Sequence, residues 1–186
     1  MSLTLQQVSR ENPEYKSIRN QHYVKNHGCI GKQIHYLIFS NDLGEVFGQK
    51  PLGIISGASA VWACKPRDDY FGITKENRVD VIDKIINNTV FRLITRDKNL
   101  GSMVLSLFRK QVINDWQKKY NTEVIGFETF VFGENRTGTI YKADNWQYVG
   151  ETQGSAKYKP HGAYNKGERL QTDKKLIFCK RLKETW

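Results

Sequence analysis

The sequence predicts an α/β fold, an α+β arrangement in a single domain built on a mixed β-sheet. Residues 89–95, 102–120 and 124–131 form a strand, a long helix and a second strand, an order that joins two parallel strands by a crossover. Residues 34–39 and 51–60 indicate two further strands that form an antiparallel hairpin. Parallel and antiparallel pairs together predict a mixed sheet.

The composition indicates a folded, basic protein. The 186 residues include nine Phe, nine Tyr and four Trp, which argues against disorder. The formal net charge is +10 and the isoelectric point is about 9.5, values that favour a polyanionic partner such as DNA. The alternative is a soluble protein that is basic for other reasons.

Cysteine usage and hydropathy predict a cytoplasmic protein without a membrane span. The three cysteines are odd in number and far apart, so no disulfide framework or paired zinc motif is expected. The N-terminal residues lack an apolar signal core, and no apolar run approaches the roughly 20 residues that a membrane helix needs. Residues 21–29 contain His and Cys but show no metal-ligand spacing, so we expect no metal.

The first half of the sequence predicts one or two helices before the hairpin and one helix after it. Residues 3–27 suggest one or two helices, with Pro13 breaking or starting one of them. Residues 65–72 resemble a polar loop. Thr74 is expected to cap a helix that extends to residue 85, with Asn77 in the position usually held by Glu. The predicted core stripe of this helix contains Val79, Ile82, Ile85 and Ile86.

The second half carries the crossover and then shorter elements. The strand at 124–131 is apolar on both parities, so it should be covered on both faces, and Glu128 interrupts it. A short helix at 138–145 carries Tyr141, and strands follow at 147–150 and 175–182.

The loop before the long helix is the first candidate site. A strand, a Gly-containing loop and a helix start expose backbone amides that bind phosphate groups. Arg96, Gly101 and Ser102 would suit a pyrophosphate there, beyond the carboxyl end of a parallel strand. The alternative is that Ser102 only caps the helix.

Glu128 and Tyr141 are the second candidate site. A carboxylate can take a proton from an attacking amine, and a phenol can return one to a leaving group. The alternatives are a buried ion pair between Glu128 and Arg92 and a core role for the Tyr141 ring. Spacing alone favours both alternatives.

The segment 155–169 is the third candidate site, and it lacks a core pattern. Basic residues neutralise phosphates, and aromatic rings stack on extruded bases. The alternative is a solvated loop. The candidate DNA-binding residues are Lys157, Tyr158, Lys159, Tyr164, Lys166 and Arg169.

Several motifs in one order resemble two related families. Residues 138–146 (GTIYKADNW) followed by 150–152 (GET) resemble the signature of the Mom family of phage DNA-modification proteins and of the DruA domain of Druantia-type defence systems. Residues 87–93 (NNTVFRL), 99–102 (NLGS) and 127–131 (FETFV) are similar to the DruA pattern. Further matches are His22 with its neighbours and the pair Asp115-Trp116.

The resemblance implies a GNAT-like acyltransferase fold. In that fold, helices cover both faces of a mixed central sheet, which splays between two parallel strands. It further implies that a small glycinamide-like group is added to the exocyclic amine of a DNA base, most often adenine. By motif matching, Glu128 and Tyr141 are the implied catalytic residues, and Arg92 and His22 match more loosely.

The sequence departs from the family pattern at two places. The acid is Glu rather than Asp, and the 96–101 loop is a degenerate pyrophosphate loop, so the donor is expected to be acyl-CoA or another activated acyl donor. Two alternatives stay open. One is a non-catalytic DNA-binding module of a phage-defence or transposition system, and the other is a GNAT acetyltransferase that acts on a protein or small amine.

Overall fold

A seven-stranded mixed sheet forms the centre of the protein. The computed structural model describes residues 2–22, 31–40, 50–132, 136–157, 169–171 and 174–182. The elements are β1 (Leu3–Val8), α1 (Pro13–Asn20), β2 (Gln33–Ser40), β3 (Gly53–Ser59), α2 (Lys65–Phe71), α3 (Arg78–Ile82), β4 (Ile85–Leu93), α4 (Leu100–Tyr120), β5 (Gly126–Phe132), α5 (Thr139–Ala143), β6 (Gln147–Glu151), β7 (Ser155–Lys157), β8 (Arg169–Gln171) and β9 (Lys175–Arg181).

The sheet confirms the predicted mixed α/β class. Its strand order is β1-β2-β3-β4-β5-β9-β6, and β7 pairs with β8 in a separate two-stranded sheet. The pair β4–β5 is parallel, and the other pairs of the large sheet are antiparallel. None of the helices in these described segments has the length and apolar character needed to cross a membrane.

Helices cover both faces of the sheet, as the resemblance implies. On one face, Phe108 and Trp116 of α4 are fully buried in a core that includes Phe127 and Tyr141. On the other face, Tyr15 and Ile18 of α1 pack on β2, β3 and β4. The helix α2 also packs on this second face, beside β6 and β9. Burial of apolar side chains on each face stabilises the sheet between two layers.

The N-terminal segment differs from the helices predicted over residues 3–27. Residues 3–8 form the edge strand β1, which pairs antiparallel with β2. The prediction that Pro13 starts a helix is confirmed, because α1 begins at this residue. The Asn12 side chain caps it by accepting a hydrogen bond of 3.0 Å from the Tyr15 amide.

The segment between β3 and β4 also differs from the prediction. The predicted polar loop at 65–72 is the helix α2, and the helix predicted from Thr74 is the five-residue α3. Thr74 and Asn77 do form the reciprocal bonds of a capping box, at 2.8 and 3.4 Å. Val79, however, is 66% exposed, and the apolar run at 85–86 belongs to β4 instead. A short helix followed at once by a strand therefore has the apolar spacing of one longer helix.

The parallel pair separates soon after it forms. Residues 85–87 of β4 pair with residues 126–128 of β5, and the pairing ends there. At the same level, Ser56 of β3 lies opposite Val90 while Gly57 lies opposite Asn88, so Thr89 is an extra residue in β4. A bulge of this kind bends its strand, and β4 leaves β5. The splay implied by the resemblance is therefore present.

Candidate active site

The gap between β4 and β5 is the centre of the candidate site. Asn87 and Glu128 form the last residue pair of the two strands before the gap begins. Backbone groups beyond that level face the gap rather than a neighbouring strand. Gaps of this kind, at the carboxyl ends of parallel strands, are places where ligands bind in α/β proteins.

The hydroxyl of Tyr141 lies in this gap. It donates a hydrogen bond of 2.8 Å to Asn88 Oδ1, and Thr129 Oγ1 lies 3.3 Å from it. The side-chain nitrogen Nδ2 of Asn88 donates in turn to the backbone carbonyls of Ser56 (3.0 Å) and Val90 (3.3 Å), on both sides of the bulge. The bulge therefore positions the phenol between the two parting strands.

Aromatic contacts fix the ring of Tyr141 from below. The ring stacks on Phe178 with centroids 5.8 Å apart and meets the Trp146 ring edge-on at 5.1 Å. Trp146 donates its indole N–H to Asp144, whose carboxylate also binds Arg109 through two bonds of 2.7 Å. The motif residues around Tyr141 thus hold its ring rather than present further reactive groups.

The first turn of α4 lies beyond the end of β4. Its backbone N–H groups, including those of Gly101 and Ser102, have no partner within the helix. Ser102 donates its hydroxyl to the Asn99 carbonyl at 3.0 Å, and Arg96 is exposed on the preceding loop. Gly101 is buried against α5, because a Cβ there would lie 2.8 Å from Ile140 Cγ2. The predicted pyrophosphate residues are therefore beside the gap, on the α4 face of the sheet.

A long cleft opens on the opposite face of the sheet. It reaches the bulge at Asn88 and Thr89 and the side of Phe130 on β5. Its walls come from the loop at residues 60–64, from α2 and α3, and from the end of β6. The gap therefore has helix α4 on one side and this cleft on the other.

Glu128 is fully buried on the cleft face, beneath the lining. Its Oε1 accepts a bond of 2.9 Å from the Val61 amide, and its Oε2 is hydrogen-bonded to Nη1 of Arg67. Arg67 is fully buried as well, and its Nε donates to Asp68 at 2.7 Å. Burial raises the pKa of Glu128 to about 7, against the opposing effect of the Arg67 charge.

Glu128 and Tyr141, which together are the second predicted site, lie on opposite faces of the sheet. Neighbouring residues of a strand point to opposite faces. Glu128 points towards α2, as does Gly126, where a Cβ would lie 2.5 Å from the Phe71 ring. Thr129 points the other way, towards Tyr141. Both oxygens of Glu128 are occupied by donors, so its geometry is that of an anchor and not of an accessible base.

The predicted alternative of a Glu128–Arg92 ion pair is also wrong in its partner. Arg92 lies on the α1 face, where its Nη2 is 3.4 Å from Gln21 Oε1. His22, the other loosely matched residue, is buried just after α1, and its amide donates to the Arg19 carbonyl at 3.0 Å. The partner of Glu128 is Arg67 of α2, and the sequence does not indicate it because residues 65–72 predict a polar loop.

The predicted DNA-binding segment is described only at its ends. The backbone of Lys157 pairs with that of Arg169 in the β7–β8 hairpin. Tyr158, Lys159, Tyr164 and Lys166 lie outside the described residues. Their role stays a prediction.

A buried polar cluster next to the bulge was not predicted. Ser56 Oγ lies 2.7 Å from the Tyr15 hydroxyl and 3.0 Å from Nδ1 of His35. Burial lowers the pKa of His35 to about 4, so its ring is neutral at physiological pH. These three residues are far apart in sequence: the strand register between β2 and β3 pairs His35 with Ser56, and the packing of α1 on the sheet adds Tyr15.

Known N-acetyltransferases share this fold. Three solved structures are similar to this chain. Arabidopsis thaliana NAA60, in complex with a bisubstrate analogue, has a TM-score of 0.57 and 10% identity, covering 99% of this chain and 100% of that one. A GNAT family acetyltransferase from Elizabethkingia anophelis, with acetyl-CoA bound, has a TM-score of 0.53 and 9% identity, covering 97% and 98%. A putative phosphinothricin N-acetyltransferase has a TM-score of 0.51 and 13% identity, covering 98% and 100%. At these identities the likeness shows a shared fold.

The family follows from the sequence itself. The chain belongs to the DruA family, described as Druantia protein DruA, whose family model matches residues 1–180. Among functionally curated proteins, none matches the chain significantly. The DruA resemblance predicted from the motifs is confirmed, and the resemblance to the Mom family stays a prediction.

Proposed function

We propose that this protein transfers an acyl group from an activated donor to the exocyclic amine of a DNA base, most often adenine. One observation carries the proposal. The Tyr141 hydroxyl lies in a gap between parallel strands, with the first turn of α4 on one side and an open cleft on the other. A donor held on one side and an acceptor on the other would meet in the gap.

The residues on the α4 side fit an acyl-CoA donor. The first-turn amides of a 21-residue helix attract a pyrophosphate through their N–H groups and through the helix dipole. Exposed Arg96 adds a positive charge, and close packing of Gly101 on Ile140 keeps α5 against this turn. Two of the similar acetyltransferase structures contain acetyl-CoA or a bisubstrate analogue. Acyl-CoA would supply an activated carbonyl; Arg96, Gly101 and Ser102 would hold its phosphates.

Tyr141 is the residue that we assign to proton transfer. Formation of the new N–C bond releases a proton from the amine, and departure of the donor's leaving group requires one. The phenol can give its proton to the departing leaving group, since its present acceptor is the neutral side-chain oxygen of Asn88, and the phenolate that remains can take the proton released by the amine. Glu128 is not the base in this proposal, because its oxygens are occupied and its carboxylate is sealed.

Charge and family membership support DNA as the acceptor. A net charge of +10 favours a polyanion, and a duplex base would have to be extruded before its amine could enter the gap. The basic segment around Lys157 and Arg169 would bind the backbone. DruA is named for the Druantia system, and a defence role is compatible with DNA modification.

A second candidate is transfer to an amine of a protein or small molecule. The cleft lining favours it, because it includes six acidic side chains and five basic ones. The acidic ones are Asp68, Asp69, Asp80, Asp83, Glu123 and Glu151.

Nucleoside mass spectrometry tests the proposal. DNA from cells that express the wild-type protein should contain a nucleoside of increased mass, and DNA from cells that express Tyr141→Phe should contain little of it. Lys118→Ala, a change at the far end of α4, is the control and should behave as wild type. Wild-type DNA with only ordinary nucleosides, despite abundant folded protein, would contradict DNA modification.

A further inference from the structure

We propose that Trp62 is a stacking platform for a nucleobase and that the buried Arg67–Glu128 pair holds this platform in place. The inference rests on the proposed function for the identity of the acceptor, and it names the residue that would receive the base. It assigns a ligand class to a loop in which neither the motifs nor the family resemblance marks a residue.

Trp62 is unusually exposed for its residue type. Tryptophan is highly buried on average in folded proteins, and 63% of Trp62 is accessible. It lies in the loop at residues 60–64, between β3 and α2, and lines the same cleft as the bulge at Thr89. Val61 (38% exposed) and Val79 (66%) add apolar surface to the same lining.

Four hydrogen bonds from buried or half-buried charged groups fix the backbone of this loop. The Val61 amide donates to Glu128 at 2.9 Å, and the Val61 carbonyl accepts from Arg67 at 2.6 Å. The Trp62 carbonyl accepts from Arg78 at 2.8 Å, and the Cys64 amide donates to Asp68 at 3.3 Å.

These bonds form one connected network. Arg67 binds both Glu128 and Asp68, and Asp68 binds Arg78 at 2.9 Å. The network extends from the centre of the sheet to the exposed ring. A platform fixed in this way loses little conformational entropy when a ligand binds, which favours affinity.

The chemistry of the patch favours a base. The guanidinium carbon of Arg78 lies 6.0 Å from the centroid of the Trp62 ring, so a positive charge adjoins an open aromatic face. Bases stack on aromatic side chains irrespective of sequence, and adjacent basic residues neutralise the phosphates. Lys75, in the same lining, supplies further positive charge, whereas Lys65 is paired with Asp69 at 2.9 Å.

The platform gives Glu128 a definite role. It is a positioning residue that acts through Arg67 and Val61, and it does not touch the acceptor. This accounts for a buried carboxylate in the strand beside the gap without making it a base.

The test compares two single strands about 12 nucleotides long, within the range that one binding groove covers. One is oligodeoxyadenylate, and the other has the same backbone with abasic sites only. Binding of each is measured by fluorescence anisotropy at one low salt concentration, because backbone affinity depends on salt. The variants are Trp62→Ala, Trp62→Phe, Glu128→Gln and the control Ile94→Ala, an exposed apolar residue outside the cleft lining.

Trp62→Ala should weaken binding of oligodeoxyadenylate roughly 5- to 150-fold, the range expected for loss of one stacked base. It should leave binding of the abasic strand unchanged. Trp62→Phe should keep most of the wild-type affinity for oligodeoxyadenylate, and Ile94→Ala should bind as wild type. Glu128→Gln should weaken only the base-bearing strand, provided that circular dichroism shows a folded protein.

Several results would overturn the platform. They are equal affinity of wild type and Trp62→Ala for oligodeoxyadenylate, an equal loss on both strands, and no binding of either strand by wild type. A change in oligomeric state on Trp62→Ala, with unchanged DNA affinity, would assign the patch to a protein contact instead.

Nucleosides analysed from the same proteins separate the two proposals. Trp62-dependent binding without any base modification would retain the platform and refute acyl transfer. Base modification that does not depend on Trp62 would retain acyl transfer and refute the platform.

Discussion

The buried ion pair between Arg67 and Glu128 gives the most informative single perturbation. Both side chains are fully buried, and Glu128→Gln would leave the arginine charged with only Asp68 beside it. Breaking a buried pair on one side costs about 3–5 kcal/mol. That is a large part of the roughly 5–15 kcal/mol that stabilises a typical protein. For a chain of this size, about 2–4 °C is lost per kcal/mol, so the melting temperature should fall by roughly 6–20 °C.

Replacing Arg67 instead of Glu128 should cost less free energy of unfolding, because a buried carboxyl can become neutral and an arginine cannot. Burial already raises the pKa of Glu128 to about 7, so in Arg67→Met the carboxyl can take up a proton, whereas arginine cannot lose one. A pKa raised above its unfolded value stabilises at low pH, and this contribution is lost as pH rises through the folded pKa. Arg67→Met should therefore be more stable at pH 5 than at pH 8.

Thermal unfolding followed by circular dichroism at these two pH values provides the assay. The double variant Arg67→Met with Glu128→Leu should recover much of the stability, since an apolar pair of similar volume replaces both charges. Glu128→Gln that melts at the wild-type temperature but has lost transfer activity would refute the reasoning and restore Glu128 as a catalytic base.

Three further predictions concern Tyr141, Asp144 and His35. Tyr141→Phe should lower turnover by about 10²–10⁴-fold, with donor affinity in titration calorimetry unchanged. Asp144→Ala should cost about 3–5 kcal/mol in urea unfolding, because it leaves Arg109 and the indole N–H of Trp146 without their acceptor. The pKa of His35 is lowered to about 4 by burial, so its stabilising contribution is present above pH 6.5 and is lost as pH falls through 4. His35→Gln should remove about 3 kcal/mol of this acid sensitivity, as measured by urea unfolding across that range.

The crossover unit could be predicted because its signals are local and strong. The helix α4 is 21 residues long and carries apolar residues along its length. The flanking strands are rich in β-branched and aromatic residues. Their order alone requires a parallel pair, which the structure contains. The short helix that carries Tyr141 could be predicted as well, because turn residues bound that segment.

The elements around the cleft could not be predicted because tertiary contacts decide them. In α2, Arg67 is fully buried, although an arginine among polar residues predicts an exposed loop. In β4, the first residues continue an apparent helical stripe that starts at Val79, although Val79 itself is exposed. Periodicity cannot tell a short buried strand from one more helical turn.

The partner of Glu128 illustrates the limit for the site. Sequence reasoning correctly required a partner or a use for a buried carboxylate in β5. Arg92 is the predicted alternative partner, because it lies one strand away in the sequence pattern. Asn87, and not Arg92, lies opposite Glu128, and the strands part before Arg92 is reached, so the position is left to an arginine 61 residues distant. The one-residue bulge at Thr89, just beyond this point, is not visible in an alternating pattern.

Release of free CoA from acetyl-CoA by the purified protein tests the central claim most directly. Chromatography would follow this release with three acceptors in turn: a short DNA strand, the matching abasic strand and a mixture of peptide amines. We predict release that depends on the base-bearing strand and falls at least about 100-fold in Tyr141→Phe, as expected for loss of a general acid. Release with peptide amines alone, or release that is indifferent to Tyr141, would contradict transfer to a base through the gap between β4 and β5.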